Sequence, residues 1–302
     1  MTNFDAYLMV DWSANNKPKR GKDSVWYSLV TRRAGKAAIE RSANPPTRYD
    51  AVSEIGDQLA QLRSRRMRTL VGFDFAYGYP AGFAEALGLS GGPPWRMIWD
   101  YLSFHINDNA GNKSNRFDVA SAANVCVSGG VYPFWGCPKG RRYRHLLPKQ
   151  PKRQGAKDLA DLRLTDKRAQ GAQSVWKLCY PGSVGSQALL GIPNLLRLCS
   201  DPRLAAHSVV WPFETGLQLP RKNRKNDALI VHAEIYPSMI NHKPCEGEVW
   251  DYTQVRRLAL YYAKADERGE LARWFSGPDD LTDDQKTQVV NYEGWILGIE
   301  AR

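Results

Sequence analysis

Two short apolar runs in this chain each end on an aspartate. In Thr69 to Pro80, TLVGFDFAYGYP, the residues Leu70, Val71 and Phe73 form a buried-strand pattern. Asp74 stands where that strand should end, and Gly78 and Pro80 mark the turn beyond it. In Ala6 to Ala14, AYLMVDWSA, the run Leu8, Met9, Val10 delivers Asp11 in the same way. Residues 24 to 31, SVWYSLVT, read as a second strand, and Lys36 to Arg41 as a third. The linker from Asn15 to Asp23 is polar and basic and contains Gly21, as a hairpin loop should, so antiparallel pairing of the first three strands is predicted. Val52, Ile55, Leu59 and Leu62 fall on one face of a helix over residues 49 to 64. A helix there permits a crossover that makes the Thr69 strand parallel to the first, with Asp11 and Asp74 side by side.

Further along, Trp95 to His105 and Asp118 to Val125 read as helices. Ser128 to Lys157 is a Gly/Pro-rich, aromatic and basic stretch too long for an ordinary loop, and reads as a lid, an insertion or a partly disordered arm. Residues 185 to 199, GSQALLGIPNLLRLC, resume a helical pattern that Pro193 should kink or break. Two more strand candidates, His207 to Phe213 and Leu229 to Tyr236, meet acids at or near their ends, Glu214 and Glu234. Helices are expected at Thr253 to Ala265 and at Asp284 to Glu300. With no internal repeat and no clear linker, the chain reads as one elaborated domain over residues 1–302 with an insertion at 128–172.

The formal charge of +11 changes the picture by favouring a polyanionic partner, and nucleic acid is the expectation. Between Lys139 and Lys157 eight basic residues, among them Arg141, Arg142 and Arg144, occur with no acid; smaller clusters lie at Lys17 to Lys22 and Arg221 to Lys225. No apolar run approaches the roughly 20 residues that span a bilayer, and the start, MTNFDAYL, has neither a basic n-region nor an apolar h-region, so a cytoplasmic location without a membrane partner is expected. Five cysteines without a C-x-x-C pair suit neither a zinc ribbon nor a secreted disulfide framework, and are expected to be reduced, mostly buried thiols.

Carboxylates on neighbouring strands about 4.8 Å apart repel unless a shared proton or a divalent cation offsets the charge. Mg²⁺ or Mn²⁺, which favour hard oxygen ligands, is the expected cofactor. Glu293 shares a helical face with Val289, Ile296 and Leu297, so it points toward the core, either as a further ligand or paired with an arginine. Glu214 and Glu234 are additional candidates. His232, two residues before Glu234, is a secondary one. For each aspartate taken alone, the competing reading is a strand-end turn residue that bonds nearby backbone amides. Ser183 and Ser186 in GSVGSQ precede a helix and suit either a phosphate cradle or a plain N-cap. The Walker pattern and G-x-G-x-x-G are absent.

The motifs VDWSA, GFDFAYGYP, GSQALLGIP, WPFETG and HAEIYPS, in this order over residues 6 to 300, resemble the predicted nucleases with a ribonuclease H-like fold numbered 429 among domains of unknown function. The resemblance implies an α/β fold: a five-stranded mixed sheet, first three strands antiparallel and strands one and four parallel, flanked by helices. It further implies acids at Asp11, Asp74 and Glu234, with Glu293 in NYEGWILG matching the acid of the last helix. Where the family commonly has Gly soon after the first acid, this chain has Trp12-Ser13, and the basic segment 128 to 157 is an addition. The expected activity is metal-dependent phosphodiester hydrolysis of nucleic acid by Asp11, Asp74 and Glu293. Asp11, Asp74, Glu234 and Glu293 would be the metal ligands, and Arg141, Arg142, Arg144, Ser183 and Ser186 would contact the substrate. The alternatives are an actin-like, ATP-dependent phosphotransferase and a non-catalytic nucleic-acid-binding module.

Overall fold

The apolar length of β1 (Ala6–Asp11) is buried throughout, as a central strand covered on both faces must be. The computed structural model describes residues 2–33, 36–152, 159–180, 182–220, 229–240 and 247–300. In it β1 pairs antiparallel with β2 (Trp26–Arg33), which pairs antiparallel with β3 (Lys36–Ala43). On its other side β1 runs parallel to β4 (Thr69–Phe73), followed by the parallel strands β6 (Ile230–Glu234) and β5 (Ser208–Val210). The mixed sheet has the order β3-β2-β1-β4-β6-β5. It therefore has six strands rather than the five implied by the resemblance. The additional one, β5, is an edge strand of three residues. It stops short of the expected Phe213 because Pro212 has no N–H with which to extend the ladder.

Alternation along the strands divides the core in two. Ala6, Leu8, Val10, Val71, Phe73 and Ile230 share a cluster with side chains of α1 (Arg48–Ser64), α3 (Pro94–His105) and α5 (Gly185–Cys199). Tyr7, Met9, Leu70, Val231, Ala233 and Ile235 pack instead against α6 (Trp250–Glu267) and α7 (Glu270–Trp274). The remaining helices are the short α2 (Phe83–Ala86), α4 (Arg116–Ser128) and α8 (Asp283–Gln288). Helix α5 continues through Pro193, where a kink or break was expected. The last helix is shorter than its pattern suggests. After α8 comes one π-type turn, Val289–Glu293, which ends at Gly294 with φ of 68°, a left-handed conformation that favours glycine. Ile296 then bridges to Glu234 of β6.

The described parts of the 128–172 segment belong to the body of the molecule. Phe134, Leu146 and Leu159 join the core, and Phe134 stacks edge-on against Phe83 and Trp176. Residues 153–158, part of the basic run, and the Arg221 to Lys225 cluster lie outside the described residues. The cysteines are less hidden than expected: among those described only Cys137 is buried, Cys126 is exposed, and all four are free thiols.

Arg163, only 2% exposed, ties this segment to the sheet. Its two terminal nitrogens reach the carboxylate oxygens of Glu234 at 2.7 and 2.6 Å, and its Nε and Nη2 reach Asp166 at 3.0 and 2.8 Å. It also donates to the Glu293 carbonyl at 3.0 Å. Burial works against the charge, but Asp166 and Glu234 outweigh it and hold Arg163 well above its ordinary range. Nearby, the backbone of Tyr292 and Glu293 crosses directly over Gly78, where a Cβ would meet the Tyr292 carbonyl oxygen at 2.2 Å. Replacing Arg163 with methionine should strand two buried carboxylates and lower the unfolding free energy by about 3–5 kcal/mol in denaturant titrations. A loss below about 1 kcal/mol would show that this ion-pair network does not hold the segment.

Candidate active site

Strands β1 and β4 are in parallel register with Val10 opposite Phe73, so the next residues, Asp11 and Asp74, emerge side by side at the same end of the sheet. Both fall in phase with Met9 and Gly72, on the face covered by α6. At Gly72 an added Cβ would lie 2.6 Å from both Met9 Sδ and the Ile235 side chain, so these two side chains fill the space over β4 next to the acids.

The two half-buried carboxyl groups lie close enough for each to shift the other's affinity for a proton. Asp74 also accepts the Trp12 N–H at 2.7 Å. Among the described residues neither carboxylate has a lysine or arginine as ion-pair partner. Burial, followed by the adjacent charges of Asp74 and Asp251, pushes Asp11 well above the usual carboxylate range. Burial raises Asp74 as well, against the pull of the Trp12 N–H. Both shifts favour keeping a proton on the pair to higher pH than on two separate aspartates.

A cavity of about 630 Å³ opens over Asp11. It is lined by the loop after β1 with Asp23 and Asp251, by Arg116 and Phe117 at the start of α4, and by Leu178, Tyr180, Ser183 and Gln187 ahead of and within α5. The loop is held rigidly. Gln187 Nε2 bonds the Trp12 carbonyl at 2.5 Å, and buried Arg48, ion-paired to Asp108 at 2.6 Å, donates to the carbonyls of Ser13 and Asn15. Asp251, in the first turn of α6, accepts the Asp23 N–H at 2.6 Å, and burial raises its carboxyl too.

The other predicted ligands lie elsewhere. Glu234 is opposite Phe73 in the sheet, one residue out of phase with Asp74, so it leaves on the other face and is locked onto Arg163. Glu293 is fully buried, but its carboxylate accepts from the Leu164 N–H at 2.6 Å, the Ala81 N–H at 3.3 Å and Gln288 Nε2 at 2.7 Å. Neither residue lines the cavity. Glu214 is exposed and bonds the Val210 N–H of its own segment. His232 is buried on the same face as Glu234, pushed down to about 3 by burial, so its imidazole stays neutral, 3.3 Å from Ser208 Oγ.

Ser183 and Ser186 both line the cavity. Ser186 Oγ donates to the Leu178 carbonyl at 2.6 Å and accepts from Arg116 Nε at 2.9 Å, so it positions rather than caps. Arg141, Arg142 and Arg144 are exposed. Their segment reaches the rim of the cavity through Tyr143, whose ring lies 5.9 Å from that of Phe117. Reading the sequence missed Arg116, Asp23 and Asp251. Asp251 gave only the weak signal of an acid in a first helical turn, which helix dipoles favour anyway.

No family model, curated protein or solved structure matches this chain. Among the described residues no group of three or more His, Cys, Asp or Glu side chains is gathered for a metal ion, and no helix is long and apolar enough to cross a membrane.

Asp11→Asn removes the charge conflict, and the raised pKa sets the sign of its effect. A folded-state carboxyl pKa above the unfolded value means that the native protein binds more protons, so wild-type stability falls as pH rises from the unfolded pKa through the folded one. The variant should therefore gain on wild type between pH 5 and 8, by on the order of 1–2 kcal/mol at the upper end. Chemical denaturation at both pH values measures this; a constant difference would contradict the shared proton.

Proposed function

We propose that this protein is a metal-dependent phosphodiesterase acting on nucleic acid, with Asp11 and Asp74 as its catalytic pair and a ribonuclease H-like arrangement of its first four strands. The observation that carries this reading is the pair itself: two adjoining carboxyl groups without a cationic partner among the described residues, one of which, Asp11, lines a cavity large enough for a nucleotide-sized group. Such a pair retains a proton in the metal-free protein. A divalent cation held by Asp11 and Asp74 would offset both charges at once in place of that proton.

The residues fit Mg²⁺ or Mn²⁺ better than a metal with an all-protein cage. Mg²⁺ commonly takes one or two carboxylates and completes its shell with water and substrate phosphate oxygens. Bound there, the ion would supply Lewis-acid and water-activating chemistry. Asp11 and Asp74 would hold it, the Trp12 N–H fixes the orientation of Asp74, and Asp251 adds negative charge nearby. Glu234 and Glu293 have no part in this chemistry; they hold the Arg163 segment in place. The exposed Arg141, Arg142 and Arg144, with Lys17 on the loop after β1, suit a polyanion lying across the rim. The positive charge and this rim favour nucleic acid over a neutral substrate.

One observation favours a second reading. Residues 182–187 line the same cavity as Asp11, as an ATP-dependent phosphotransferase of actin-like architecture would need. Thermal stabilisation by ATP with Mg²⁺, but not by oligonucleotide, would select it.

Hydrolysis of labelled single-stranded DNA and RNA with Mn²⁺ tests the proposal. Asp74→Asn should lower turnover by more than about 100-fold, beyond what even outer ligand-supporting residues usually cost. Glu293→Gln should leave the activity of the folded fraction within a few-fold. Cleavage indifferent to Asp74→Asn would remove the assignment.

A further inference from the structure

We infer that Arg116 forms a phosphate-binding subsite in the cavity that Asp11 also lines, and that it grips a phosphoryl group of the substrate directly. This deepens the reading of the cavity as a phosphate-ester site and rests on it.

Arg116 is 6% exposed and sits at the first position of α4. Its guanidinium is held by neutral acceptors only: Ser186 Oγ at 2.9 Å, Asn16 Oδ1 at 2.5 Å and Ser114 Oγ at 2.9 Å. Among the described residues it has no carboxylate ion-pair partner, unlike the equally buried Arg48 and Arg163, which have Asp108 and Glu234. Burial lowers its affinity for the proton, and the neighbouring Arg48 charge lowers it further, to a pKa of about 10, so it remains cationic at neutral pH. A buried cation without an anion is costly, and the protein keeps it fixed at a cavity wall by three hydrogen bonds. Two of the three anchors, Asn16 and Ser186, themselves line the cavity.

The missing counter-charge is thus one that a ligand brings. A tetrahedral phosphoryl group suits it, since Nη2, the guanidinium nitrogen these anchors leave unused, presents a forked pair of hydrogens to such oxygens. The first turn of α5, with Ser186 and Gln187 lining the same cavity, adds partial positive charge. With Asp11, Asp23, Asp251 and Arg116 all lining it, the cavity offers charge of both signs to a phosphate ester whose reacting end lies toward Asp11.

Pyrophosphate binding measured by calorimetry, with divalent cations chelated, tests this without turnover. Arg116→Gln should weaken binding about tenfold to hundredfold, as loss of charged hydrogen bonds does. Arg268→Gln, on the exposed turn after α6, should leave it unchanged. If Arg116→Gln does not fold, Arg116→Lys carries the test: it keeps the charge, loses the fork, and should bind several-fold more weakly. Wild-type affinity in whichever variant folds, or no saturable binding by the wild type, overturns the subsite. Competition by a 5′-phosphorylated oligonucleotide against competition by ATP distinguishes the two sources of the phosphate. Failure of this binding result leaves cleavage by Asp74 standing, whereas indifference of cleavage to Asp74→Asn leaves the anion subsite standing, so the two ideas fall separately.

Discussion

The constraint on which the site depends is strand phase. In a sheet, neighbouring residues in register point the same way, and a shift of one residue sends a side chain to the opposite face. Val10 opposite Phe73 puts Asp11 and Asp74 together on the α6 face, while Phe73 opposite Glu234 puts Glu234 on the other. Three acids at the ends of three adjacent parallel strands are thereby divided into a crowded pair and a solitary glutamate. The parallel β1–β4 pairing is what α1 makes possible, because the chain must return to the other edge of β1 before entering β4.

The two faces treat negative charge in opposite ways. Glu234 and Asp166 are neutralised in place by Arg163, and Glu293 is satisfied by two backbone amides and a glutamine. These acids join the C-terminal segment, the 159–180 segment and β6 into one body. Asp11 and Asp74 receive no such compensation from a basic side chain among the described residues. Arg116, which lines the same cavity as Asp11, shows the reverse imbalance, a buried cation held by neutral oxygens and stacked on the Phe117 ring. Charges of both signs without an ion-pair partner at one cavity are costly for a folded chain, and a ligand carrying a cation and a phosphate would relieve both.

Much of this was legible in the chain because it is local. Apolar runs ending in Asp11 and Asp74 declare themselves within a few residues, and their strands form where expected, as do α1, α3 and α5. What was not legible depends on register or on irregular backbone. Whether Glu234 joins the aspartates turns on a one-residue phase between β4 and β6 that neither strand reveals alone. Arg163 lies in a stretch without hydrophobic periodicity, so nothing marked it as the partner of Glu234. Glu293 does point inward, but Gly294 ends the helix there, and the acid meets amides of residues far away in the chain. Arg116 looked like one more basic residue in a basic chain. What distinguishes it is burial beside the cavity without a carboxylate partner among the described residues, which only the fold shows.

The account's central claim is that Asp11 and Asp74 share a proton that a divalent cation displaces. Calorimetric titration of Mn²⁺ into the metal-free protein near pH 6, in two buffers of different ionisation enthalpy, tests it most directly. The claim predicts saturable binding with release of about one proton per ion, and loss of both in Asp11→Asn. Binding without proton release, or undiminished in Asp11→Asn, would contradict it.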